Sequence, residues 1–157
     1  MAKERLRISL KRQPAMVVNR IAVGDLKLCY VLCANRSIPY DTGRSPIIYM
    51  GTTRNGIDRV AQSAAAKSWV LGMHGVTSFE VRIVTCGSRQ RIRSWHKLER
   101  ALLLTFRDKF GTVPICNTVG KNFVETDEFR LFSRSRVSAV IEGLTRSGAA
   151  DEVEISD

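Results

Sequence analysis

Residues 94–110, SWHKLERALLLTFRDKF, constrain this chain more than any other stretch. Trp95, Leu98, Leu102, Leu103 and Phe106 recur at helical spacing, and side chains three and four apart share a helix face. Ser94 offers a hydroxyl for the N-cap, and Gly111 followed by Pro114 supplies a stop. A helix with such a stripe must be covered by another layer. Glu99 is the anomaly, because its offsets put it within the stripe. An unpaired carboxylate there costs on the order of several kcal/mol. Glu99 therefore needs a partner. That partner is either a buried cation, for which Arg59 is a candidate, or a metal ion at the edge of a sheet. Position alone weighs the two evenly.

The covering layer is legible as strands. In residues 26–34, LKLCYVLCA, the two-residue period puts Leu26, Leu28, Tyr30 and Leu32 on one face. Residues 47–51, IIYMG, and 78–86, SFEVRIVTC, read the same way. Between the first two strands, Asn35, Pro39, Asp41, Gly43 and Pro46 carry turn chemistry, which predicts a loop over 35–46 closing an antiparallel hairpin. Residues 57–69 are alanine-rich and predict a helix. A last helix is expected from about 127 to 144. The expected class is α/β (α+β): a small, three-stranded, mainly antiparallel sheet flanked by helices. Residues 1–25 read as a basic arm or extra strand, 26–145 as one domain, and 146–157 as an acidic, disordered tail.

Charge narrows the choice of partner. The formal net charge is +10, in a chain with 44% hydrophobic and 25% charged residues. The composition can bury a core, and the excess of base points to a polyanion. The bases cluster. Lys3, Arg5, Arg7, Lys11, Arg12 and Arg20 face one acid, Glu4, in the first twenty residues. Arg82, Arg89, Arg91, Arg93, Lys97 and Arg100 surround Glu99 alone. No apolar run approaches the length of a membrane span, and the N-terminus lacks the apolar core of a signal peptide. A cytoplasmic chain with access to DNA is expected. Cys29, Cys33, Cys86 and Cys116 form no CxxC pair. They read as reduced thiols, and the spacing of Cys29 and Cys33 matches no common zinc pattern.

Three further positions stand out. Tyr30 and Tyr49 lie on paired strands, and each hydroxyl needs a partner. They are either core tyrosines with satisfied hydroxyls or a reactive pair. Gly51 ends its strand where backbone could approach a phosphate. Arg59 falls in the first turn of its helix, either as a surface side chain or as a phosphate clamp aided by helix amides.

Taken in order, these residues resemble the GIY-YIG endonuclease superfamily. Leu28-Cys29-Tyr30 aligns with the first motif and Tyr49-Met50-Gly51 with the second. Arg59 follows Gly51 by eight positions, as the family arginine does. Glu99 occupies the helix after the third strand, and Asn117 follows that helix in PICNTVG. The resemblance covers about residues 26–119. It departs from the family in three places. Leu28 and Cys29 replace glycine and isoleucine. Residues 36–45 stand as an insertion. Ser63 occupies the position four after the arginine, where many members carry histidine or tyrosine. His74 and Tyr40 are candidate substitutes for that group.

The resemblance implies phosphodiester hydrolysis in DNA with one Mg²⁺ (or Mn²⁺) held by Glu99. It implies that Tyr30 activates water beside Tyr49, that Arg59 holds a phosphate oxygen and that Asn117 braces the site. Arg54, Arg91, Arg93, Lys11 and Arg12 are the expected backbone contacts. With little chain outside the core, specificity falls to a homodimer or a protein partner. Two rival readings are a non-catalytic nucleic-acid-binding protein that retains the fold, and a basic ribonucleoprotein-associated protein.

Overall fold

The computed structural model describes residues 7–17, 19, 26–87 and 93–150. Strand β1 (Leu28–Tyr40) pairs antiparallel with β2 (Gly43–Thr53) and with β3 (Phe79–Val84), in the order β2-β1-β3. Helix α1 (Ile57–Ala65) follows β2, and two 3₁₀ turns (Ser68–Val70 and Met73–Gly75) lead to β3. Then come α2 (Ser94–Phe110), a single turn α3 (Glu128–Leu131) and α4 (Arg134–Ala150). The expected three-stranded antiparallel sheet with helices is present.

The central strand is buried on both sides, so both of its alternating faces are apolar. Cys29, Val31 and Cys33 pack with Leu98, Leu102, Leu103 and Phe106 of α2 and with Val137 and Ile141 of α4. Leu28, Tyr30 and Leu32 pack with Val60 and Ala64 of α1 and with Val70 and Val76 beyond it. A fully buried leucine or phenylalanine here contributes about 1.5–3 kcal/mol. Leu26, expected on the same face, lies before the strand and is exposed.

The loop expected over 35–46 is instead strand. Pairing continues from Ile38 opposite Ser45 to Tyr40 opposite Gly43, and only Asp41 and Thr42 turn. The hairpin tip has a task that sequence periodicity cannot reveal. The Thr42 amide and hydroxyl donate to the carbonyls of Phe110 (3.2 Å) and Lys109 (2.8 Å), satisfying acceptors orphaned at the end of α2. Gly111, with φ of 79°, ends that helix, and a Cβ there would meet Asp41 at 2.8 Å.

Other boundaries also moved. Ser94 is the first helical residue of α2 rather than its cap. Arg93 takes the cap position without a capping side chain. The helix expected over 57–69 stops at Ala65. The helix expected over 127–144 is broken at Phe132 and Ser133, and α4 runs on to Ala150. Residues 7–17 are exposed and form no strand, and 151–157 lie outside the described residues. Among the described residues, no helix is long and apolar enough to cross a membrane.

Candidate active site

A bulge in β2 organises the site. Leu32 pairs with Tyr49 and Cys33 with Ile47, so Ile48 is an extra residue. As a result Ile47 and Met50 join the core beneath α2, while Ile48 and Tyr49 both face the α1 side. Bulges re-aim side chains in this way without breaking a sheet. Tyr49 and Tyr30 meet with ring centroids 5.8 Å apart and planes tilted by 45°. Gly51 lies opposite Tyr30, and the Tyr49 ring covers it. A Cβ at Gly51 would stand 2.5 Å from the Tyr49 hydroxyl. The glycine makes room for the tyrosine, so Tyr49 fills the space where direct approach of phosphate to the backbone was expected.

The Tyr30 hydroxyl donates to Ser63 Oγ on α1 at 2.8 Å. Lys67 Nζ donates to the same oxygen at 2.8 Å and to the Ser63 carbonyl at 3.2 Å. It also lies 3.9 Å from the centre of the Tyr49 ring. Burial pushes the Tyr49 hydroxyl well above the ordinary phenol range. The neighbouring Tyr30 and the charge of Glu99 push the same way, and Ser63 opposes them. Burial pushes the Lys67 ammonium below its ordinary range. A charge on Cys116 would oppose that shift, and Arg59 adds to it.

Glu99 is held from α2 against β2. Its side chain is 17% exposed, and Thr52 donates to Oε2 at 3.3 Å. His96 Nδ1 lies 3.8 Å from the same oxygen. Burial pushes the Glu99 carboxyl upward, with Thr52 and the more distant charge of Arg100 opposing. Among the described residues no lysine or arginine lies within ion-pair distance of it. Its flanking cations are turned elsewhere, Lys97 to Asp127 and Arg100 to Glu128. The expected alternative, a buried pair with Arg59, is absent. Arg59 is exposed and donates to Gln62 Oε1 at 3.3 Å.

Asn117 is tied to β2. Its amide donates to the Met50 carbonyl at 2.8 Å, and its side-chain oxygen accepts from the Met50 amide at 3.0 Å. It thus pairs the backbone between Tyr49 and Gly51 as a further strand would.

The expected residues are therefore brought together unevenly. Tyr30, Tyr49 and Gly51 form one cluster, and Glu99 reaches the same stretch of β2 through Thr52. Tyr49 feels the Glu99 charge. Arg59 stands at the rim, linked by its charge to Lys67. Arg54 and Arg93 are exposed, and both act on His96, whose imidazolium burial and these two charges disfavour. Lys11 and Arg12 are exposed on the N-terminal segment, and Arg91 lies outside the described residues. The two candidate substitutes for a base at position 63 are not there. The Tyr40 hydroxyl donates to the Ile47 carbonyl and accepts from the Ile115 amide, in the core. His74 is exposed in a 3₁₀ turn and makes no hydrogen bond to Tyr30, Tyr49 or Ser63. Sequence reasoning missed Thr52, His96 and Lys67. Two of these carried a readable sign, Lys67 four residues after Ser63 and His96 three before Glu99, which are contact distances on a helix. All four cysteines are free thiols.

No known family model, curated protein or solved structure matches the chain. The resemblance to the GIY-YIG superfamily thus rests on the sequence motifs alone.

Proposed function

We propose that the chain is a metal-dependent DNA endonuclease of the GIY-YIG type. One observation carries the reading. Glu99 is a largely buried carboxylate with a hydroxyl and an imidazole beside it and no lysine or arginine within ion-pair reach among the described residues. A structural carboxylate at that depth recruits a cation from the protein, and this one stands open to a cation from outside. Among the described residues no three His, Cys, Asp or Glu side chains cluster as metal ligands. Mg²⁺ needs no such cluster, since water and substrate phosphate complete its shell around one carboxylate. The donor set, a single hard oxygen ligand at the mouth of a basic region, fits that ion. When bound, the ion supplies charge stabilisation to the phosphate and to the leaving oxygen.

The remaining roles belong to the chain's own side chains. Tyr30 takes a proton from the attacking water. Tyr49 packs beside it and shields that transfer from bulk solvent. Arg59, exposed at the start of α1, closes on a non-bridging phosphate oxygen when DNA arrives. Arg54, Arg93, Lys11 and Arg12 hold the backbone through charge, without reading sequence. The test is cleavage of supercoiled, branched and single-stranded DNA, with Mg²⁺ and with chelator. Metal-dependent nicking is the expected result. DNA binding with no cleavage of any substrate would favour the non-catalytic alternative, which Ser63 in place of a histidine or tyrosine motivates.

A further inference from the structure

A tyrosine that takes a proton from water must give up its own, because a neutral phenol holds only one. We propose that Ser63 and Lys67 form the outlet, a relay running from Tyr30 Oη through Ser63 Oγ to Lys67 Nζ. The inference rests on the nuclease reading above and assigns two residues that reading leaves idle.

The geometry is continuous. Tyr30 Oη and Lys67 Nζ each lie 2.8 Å from Ser63 Oγ, on its two sides. These are ordinary hydrogen-bond lengths along which a proton can hop without heavy-atom motion. Ser63 and Lys67 are one helical turn apart, and the lysine reaches back past the end of α1, which stops at Ala65. The ring of Tyr49 under the lysine fixes the other side of the ammonium at 3.9 Å. In the resting protein Lys67 donates to Ser63. Once it loses a proton to solvent, its lone pair faces the same oxygen and the chain of donors reverses.

The step balances. The water oxygen forms its bond to phosphorus as the bond from phosphorus to the leaving oxygen breaks. The water proton passes to Tyr30 Oη, the Tyr30 proton to Ser63 Oγ, and the Ser63 proton to Lys67 Nζ. The leaving oxygen takes a proton from solvent, and Lys67, which is partly exposed, returns one to solvent. One water is consumed, and both Tyr30 and Ser63 end as they began.

The relay needs a neutral amine. The Tyr49 ring and the two Ser63 oxygens hold the ammonium. Against that hold, partial burial and, from α1, the charge of Arg59 act toward the neutral form. Cys116, from the segment after α2, would oppose this only as a thiolate. Its thiol is pushed by burial up to about 11, so it is neutral near pH 7. The remaining neighbours, Tyr49 from β2 and Tyr30 from β1 through Ser63, carry no charge until they lose a proton.

The experiment compares Lys67→Arg, Lys67→Met, Ser63→Ala and Ser63→Thr in the full chain, on whichever DNA the wild type cuts. Thermal melts check that each variant is folded. Arginine keeps the charge and cannot accept a proton near neutral pH. The expected result is that Lys67→Arg and Lys67→Met both lose about 100-fold in kcat with KM unchanged, the scale of one proton-transfer group. Ser63→Ala should match them, and Ser63→Thr, which keeps the hydroxyl, should recover much of the rate. Wild-type kcat should rise with pH up to the point where Lys67 titrates. An independent readout follows the Lys67 Nζ resonance in ¹⁵N-lysine-labelled protein without DNA, assigned by its loss in Lys67→Met. It should titrate below the other lysines. Full activity of Lys67→Arg overturns the relay and leaves charge as the only role. A loss confined to KM overturns it in favour of a phosphate contact. Titration with the bulk of the lysines overturns it whatever the rates. Those three failures leave the nuclease reading standing. Failure of the wild type to cut any DNA with Mg²⁺ ends that reading first, and the relay with it.

Discussion

Arg100 on α2 turns to Glu128 of α3, and its sequence neighbour Glu99 has no lysine or arginine within ion-pair distance among the described residues. Glu128 has no exposed surface. Arg100 Nε donates to it at 2.6 Å, the Thr126 amide at 2.7 Å and the Thr126 hydroxyl at 3.0 Å. Burial pushes the Glu128 carboxyl upward, but these donors outweigh it and hold the group down at about 2. The Glu99 side chain keeps 17% exposure, yet burial pushes its carboxyl up, and only the Thr52 hydroxyl at 3.3 Å and the more distant charge of Arg100 oppose it. Two withdrawn carboxyls, Glu99 against β2 and Glu128 against α2, thus shift in opposite directions. Depth alone does not set the direction of such a shift; the donors and counter-charges beside the carboxyl share in it.

Substitutions at the two glutamates divide that comparison most sharply. Glu99→Gln keeps size and hydrogen bonding and removes the charge. Plasmid nicking in Mg²⁺ should fall by about 1,000-fold, on the order of 4 kcal/mol, while DNA binding holds or tightens. Without metal its melting temperature should equal or slightly exceed that of the wild type, since an unpaired buried charge is gone. A variant that cuts at the wild-type rate would remove Glu99 from the site.

Glu128→Gln should do the reverse. It strands Arg100 beside a buried amide and costs about 3 kcal/mol, measured by urea unfolding. Arg100 is 27% exposed, which keeps the figure at the lower end of the range for broken buried pairs. Cleavage at saturating substrate and low temperature should be near normal. A Glu128→Gln protein as stable as the wild type would show that the pair does not stabilise the fold.

Acid should reveal the same division. The folded-state pKa of Glu128 is depressed, so its contribution is present above the ordinary carboxylate range and is lost as pH falls from about 4.5 toward 2. The stability gap between wild type and Glu128→Gln should therefore close across that window, followed by circular dichroism. A gap that stays constant with pH would assign the loss to packing instead of charge.

The smallest effect is expected at Thr52. Thr52→Val removes the hydroxyl that donates to Glu99 and keeps the β-branched shape that suits β2. Activity should fall about 5-fold, near 1 kcal/mol, with no change in fold. An unchanged rate across a Mg²⁺ titration would mean that Thr52 does not orient the carboxylate.

Much of this was legible in the chain itself. The period of 94–110 determined α2 and placed Glu99 in its apolar stripe. The alternation of 26–34 determined the central strand. These are local properties, set by side-chain direction along a helix or strand. The continuation of both strands through 35–46 was not legible, because the turn residues there favour a loop locally. The strands persist there because their tip satisfies the last carbonyls of α2. The bulge at Ile48 was equally hidden, since IIYMG alternates no differently with or without it.

The sequence by itself determined which residues would be costly to bury and that the strands around Tyr30 and Tyr49 would be neighbours. Tertiary structure decided who partners whom. It gave Arg100 to Glu128, left Glu99 to Thr52 and His96, held Arg59 at the rim, and set Lys67 behind Ser63. The reason is physical. Charge and hydrogen-bond energies depend on distances of a few ångströms and on what solvent is excluded. Those distances join residues tens of positions apart, and only the packed chain fixes them.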